Sequence, residues 1–261
     1  MWPTVSDRRP FYALFATLIA LMWLSLWVWG RSPSGRFLSH EELGHVHGVG
    51  SRYDWIILLF VAGWTLMIVA MMLPTSLPLL ALFHSFVRRR RDRVRLVGMV
   101  VAGYVGVWTL FGLVVHANDR LVHEAVGRTP WLAANAWVIG AGTVLLAGVY
   151  QFTPLKYKCL DKCRSPLAFI MERWHGERGK TEAFLLGVQH GIFCLGCCWS
   201  LMLLMFAVGV GNLAWMLALA VVMAVEKNVD WGRRLSAPLG GVLVGWGLVL
   251  VATHGSLAGG V

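Results

Sequence analysis

Runs of about twenty uncharged, mostly apolar residues alternate along this chain with short stretches that hold most of its charge. The runs are Phe11–Trp29, Trp55–Leu73, Leu96–Val115, Trp131–Tyr150, Ala183–Val208, Leu213–Asn228 and Ala237–Thr253. A helix of roughly 20 apolar residues crosses the hydrocarbon of a bilayer. The pattern therefore predicts an all-α, polytopic transmembrane helix bundle of about seven spans, folded as a single integral membrane domain over residues 1–261.

Two of the runs are irregular. No charge falls between Ala183 and Val225, a stretch too long for one crossing. After the turn at Gly209–Asn212 only Leu213–Val225 precedes the charged pair Glu226-Lys227. That length makes roughly 20 Å of helix against about 30 Å of hydrocarbon, so Glu226 and Lys227 are expected within the inner third of the membrane. Ionisable groups at that depth mark a functional site or a buried pair. A lone buried carboxylate takes up a proton or a cationic partner, and Lys227, a bound cation or polar groups of the fifth span are the candidates for Glu226. On this reading Glu226→Gln weakens metal binding without unfolding the protein.

Composition supports the membrane assignment. Hydrophobic residues make up 57% of the chain and charged ones 14%, against roughly 25% charged in an average soluble domain. The net charge of +10 suggests a nucleic-acid partner until the positions are counted. Eighteen Lys and Arg fall before the first run, at 88–95, at 156–180 and at 227–234, and five fall in the alternate loops. That asymmetry places the N-terminus in the cytoplasm and the C-terminus outside, as in a bacterial inner membrane, and leaves no nucleic-acid role. The first run follows Arg8 and Arg9, carries Trp23, Trp27 and Trp29 and lacks a small-x-small cleavage site, so it is expected to stay as an anchor. Helices are expected to approach closely along Gly98, Ala102 and Gly106 and along Gly241 and Gly245.

The chemistry concentrates in the fifth run. At 100° per residue, His190, Cys194, Cys197, Cys198, Met202 and Met205 fall within about 140° of arc on one helix face. One imidazole, three thiols and two thioethers are soft donors, suited to Cu(I) first and zinc second. Met71 and Met72 precede Pro74, where the helix is expected to kink and free carbonyls. Cys159 and Cys163 are four apart and flanked by Lys156, Lys158, Lys162 and Arg164, cations that favour thiolate. His45 and His47, beside Glu41 and Glu42, offer imidazoles in the first outside loop. Five cysteines, none in an outside loop, argue against a structural disulfide framework.

These motifs resemble the family of predicted metal-binding integral membrane proteins. The resemblance rests on Met-Met-Leu-Pro (71–74), on Pro154-Leu155-Lys156 with Cys159 and Cys163-Arg164-x-Pro166, on Cys-Leu-Gly-Cys-Cys-Trp (194–199) with Leu201-Met202, and on Glu226-Lys227. It covers roughly the middle two-thirds of the chain and implies metal binding without a substrate or ligand set. The chain departs from it at Gly209–Asn212, where Gly211 stands in place of a Met.

The leading expectation is a membrane protein that holds copper, or zinc, through His190, Cys194, Cys197, Cys198, Met202 and Met205. Cys159, Cys163, Met71, Met72, Glu226, Lys227, His45 and His47 then serve uptake or support. Transport, storage and delivery to a membrane or periplasmic protein partner fit equally. The rival from another class is a thiol–disulfide electron carrier in which Cys159 and Cys163 exchange with Cys197 or Cys198. An assembly subunit with structural thiols is a third reading.

Overall fold

A computed structural model of the protein describes residues 9–31, 51–208 and 212–258. Every regular element among the described residues is helical. In chain order these are α1 (Arg9–Arg31), α2 (Ser51–Met71), a 3₁₀ turn (Pro74–Ser76), α3 (Leu77–Phe86), α4 (Arg93–Arg128) and α5 (Pro130–Ala134). Then follow α6 (Trp137–Tyr150), α7 (Pro154–Arg164), α8 (Pro166–Arg173), α9 (Gly179–Val208), α10 (Leu213–Asn228), a second 3₁₀ turn (Gly232–Leu235) and α11 (Ser236–Ala258).

Four helices, within α1, α4, α9 and α11, are individually long and apolar enough to cross a membrane. Two further pairs qualify together, each bent at its break: 44° between the end of α2 and the segment through α3, and 64° between α6 and α7. Against the seven spans expected, four helices among the described residues, or six if each bent pair is one span, meet the length and composition that a crossing needs. α10 falls short because 16 residues make only about 24 Å of helix.

Proline sets both bends. Pro74 and Pro78 have no N–H to give to the preceding turn. The Ala70 carbonyl, which Pro74 leaves without its helical donor, accepts from Trp23 Nε1 at 3.2 Å, and the Met72 carbonyl at the break accepts from two hydroxyls, Thr75 Oγ1 at 2.8 Å and Tyr104 Oη at 3.2 Å. Pro154 occupies the first turn of α7, and Thr153 caps it, its side chain accepting from the Lys156 backbone N–H at 3.3 Å.

α9 lies at the centre, packed on α4, α6, α7 and α10. Against α4 it comes backbone to backbone. A methyl group on Gly187 would collide with the Val100 carbonyl, one on Gly103 would strike the Phe184 carbonyl, and one on Gly191 would lie 3.0 Å from Val107 Cβ. The glycines expected to pack, Gly98 and Gly106 on α4 and Gly241 and Gly245 on α11, instead face open space. Gly103 and Gly112 on α4, and Gly240 and Gly247 on α11, make the close contacts. Outward faces of α1, α4, α9 and α11 carry exposed Leu24, Leu110, Val114, Ile192, Val242 and Leu248, an apolar exterior of the kind that lipid covers.

Candidate metal centre

Three thiols of α9 open the site. Cys194, Cys197 and Cys198 are buried to within 1% of full enclosure. Cys197 and Cys198 both donate to the Cys194 carbonyl, at 3.1 and 2.9 Å, the back-bonding open to short polar side chains inside a helix. Four other elements bring their own groups to this face. The break after α2 presents Met72, whose Sδ lies 3.9 Å from Cys198 Sγ. Tyr104 of α4 sets its hydroxyl 3.0 Å from Cys194 Sγ. Lys227 of α10 donates to Cys194 Sγ at 3.0 Å, to Thr75 Oγ1 at 3.2 Å and, at the longer 3.7 Å, to Cys198 Sγ. Cys163 of α7 meets Cys197 thiol to thiol.

His190, one turn before Cys194, points its Nε2 to Ser76 Oγ at 3.1 Å. Its ring stacks on Tyr104 at 5.6 Å and meets the edge of Phe169 at 5.7 Å. Its buried Nδ1 has no hydrogen-bond partner. Met71, Met202 and Met205 are buried in the same core, while the thioether that touches a thiol is that of Met72. His45 and His47 lie outside the described residues.

The inner-loop cysteines take different places from those the charge pattern suggests. Cys159 lies against α9, where a methyl group on Gly196 would come 2.6 Å from its sulfur. The flanking cations turn elsewhere. Lys156 is fully buried and donates to both carboxylate oxygens of Glu226, at 2.8 and 3.0 Å, and to Gln151. Arg164 donates to the backbone carbonyls of Glu226 and Asp230 at the end of α10. Glu226 is itself buried and also accepts from Ser236 at 2.6 Å. Its partners are thus Lys156 and Ser236 rather than Lys227 or the fifth span. Its negative charge is matched within the protein.

Sequence reading takes Lys156 for a cation beside the inner-loop thiols and passes over Tyr104, Thr75, Gln151 and Ser236. Two of them carry a signal in retrospect. Lys156, Cys159, Leu160 and Cys163 form an i, i+3, i+4, i+7 stripe, which puts the lysine on the inward face. Tyr104 is a hydroxyl in the middle of an apolar span, where it needs a partner.

Among the described residues, no three His, Cys, Asp or Glu side chains converge in a metal-holding group. What the face does offer is sulfur: the thiols of Cys194 and Cys198, both facing Lys227, with the Met72 thioether against Cys198. Thioether sulfur suits Cu(I) and is foreign to the Cys, His and carboxylate sets of zinc sites, so the residues present fit a soft monovalent ion.

A family model described as a copper chaperone, PpoB2, matches residues 61–250. The chain belongs to that family. The matched segment holds every element that contributes to the thiol site and leaves α1 outside. No curated protein and no solved structure matches the chain significantly.

Proposed function

We propose that this protein is a membrane-embedded copper chaperone that holds Cu(I) on Cys194 and Cys198, with Met72 beside them, and delivers it to a membrane or periplasmic protein partner. The carrying observation is the buried sulfur contact, Cys198 to Met72 at 3.9 Å, one helix turn after Cys194 on the same face. Family membership supports copper as the cargo. His190 and Cys197 stand next along α9, and Met202 and Met205 continue its donor face one and two turns beyond Cys198. Cys163, joined to Cys197, and Cys159 supply a path for ligand exchange toward the end of α7. The lipid bilayer surrounds the single domain, residues 1–261. The eighteen-to-five division of Lys and Arg supports a bacterial inner-membrane location with the N-terminus inside and the C-terminus outside.

The test is metal analysis of anaerobically purified protein with titration by Cu(I). About one ion per chain is expected, and Cys194→Ser with Cys198→Ser should abolish it. Unchanged stoichiometry in the triple Ser variant of Cys194, Cys197 and Cys198 sinks the site.

A second reading, thiol–disulfide exchange, is favoured by the contact between Cys163 and Cys197, which lie on different helices. Neighbours on one helix, such as Cys197 and Cys198, point about 100° apart and pair poorly. Mass spectrometry that traps a Cys163–Cys197 disulfide cycling with a partner would carry that reading in place of the first.

A further inference from the structure

Lys227 is 6% exposed and sits among sulfur and hydroxyl groups: Cys194, Cys198 and Thr75. Among the described residues it forms no ion pair. The charged groups around it are already matched or turned away. Glu226 is held by Lys156, Arg164 caps carbonyls at the end of α10, and His190 faces Ser76. An unmatched ammonium in an apolar interior is costly, so the working state of the site requires a negative charge beside it. Of the atoms that Lys227 touches, the two cysteine sulfurs are those that become anionic when a metal replaces their protons.

We propose that Lys227 determines the metal specificity of the thiol site. Its fixed charge selects a monovalent soft ion on two thiolates, Cu(I) or Ag(I), over a divalent one, Zn(II) or Cd(II). This deepens the copper reading and rests on it. Two thiolates carry two negative charges. A monovalent ion cancels one of them, and the ammonium cancels the other. A divalent ion cancels both and leaves the ammonium unmatched, while a third thiolate leaves a surplus negative charge. Two thiol protons leave when either ion binds the pair. Met72 adds a donor without adding charge. The N–H groups of Lys227 also donate directly to the sulfurs, a bond that strengthens as sulfur becomes anionic.

The test uses the full-length protein in detergent under anaerobic conditions, titrated separately with Ag(I) and Cd(II) against competing chelators. The ultraviolet sulfur-to-metal charge-transfer bands report thiolate binding. Lys227→Met should lower Ag(I) affinity at least about tenfold and raise Cd(II) affinity, since a unit charge next to the ion is removed. Lys227→Gln should do the same and serves if the Met variant fails to fold. An unchanged Ag(I) to Cd(II) affinity ratio, in a variant whose circular dichroism and size-exclusion profile match the wild type, overturns the proposal. Cys194→Ser with Cys198→Ser separates the two levels. Loss of both bands in that variant upholds the site, so that a null result at Lys227 counts against the charge effect alone. Persistence of both bands overturns the site reading and this inference with it.

Discussion

Residues 226 and 227 are neighbours on α10 and both are buried, yet their charges are treated in opposite ways. Glu226 meets Lys156 through both carboxylate oxygens and takes a third hydrogen bond from Ser236, with Gln151 closing the far side of the ammonium. Lys227, turned about 100° away on the helix, meets two thiols and a hydroxyl. The first arrangement is complete within the protein. The second is complete only when the sulfurs carry charge. A buried ion pair with its remaining hydrogen bonds satisfied fastens α7 to α10, whereas an ammonium set among thiols is poised for something that arrives from outside.

Breaking the complete pair should have the largest effect on stability. Glu226→Gln leaves Lys156 charged and unmatched, and a loss of about 3–5 kcal/mol is expected, read as a lower unfolding temperature in detergent. This reverses the expectation from sequence that Gln is tolerated, because the carboxylate has an internal partner. Replacing both members, Lys156→Met with Glu226→Leu, should recover most of that loss. Equal stability of Glu226→Gln and the wild type would show that the pair does not fasten the helices. Gly196→Ala comes next. The new methyl presses on Cys159, which should cost about 1–3 kcal/mol and raise the reactivity of Cys159 toward an alkylating reagent. Tyr104→Phe removes one hydrogen-bond donor from the thiol face, with an expected loss of about 1 kcal/mol in the same unfolding assay. Lys227→Met should have the smallest effect on the metal-free protein, within about 1 kcal/mol of wild type, because an unmatched charge leaves with the side chain. A large loss there would place Lys227 with Glu226 as a fastener and erase the contrast.

Much of the helical framework is legible in the sequence, since uncharged runs and Pro74 announce helices and a break. The 64° bend between α6 and α7 is not, since an angle between helices does not follow from hydropathy. The glycine ridges fail for a related reason: spacing by four names a helix face but not the neighbour it meets. Gly98 and Gly106 lie on a face of α4 other than the one α9 covers. For the site, the 3.6-residue period gathers Cys194, Cys197 and Cys198, and the structure encloses all three. Lys227 escapes reading as a neighbour of those thiols because its position depends on how α10 is rotated against α9, a long-range fact. Lys156 escapes because a lysine within a basic segment looks solvated until its helical stripe is traced.

The backbone contact between α4 and α9 has a mechanical consequence. Gly187, Gly103 and Gly191 let two main chains touch, and peptide groups held that closely move as one stiff spine. α10, by contrast, reaches α9 through the end of a side chain, Lys227 on Cys194. A side chain swings on its own torsions while the backbone stays put, so that contact yields before the spine does. On the copper reading, an ion reaches Cys194 most cheaply past the Lys227 side chain, beside the spine and not through it.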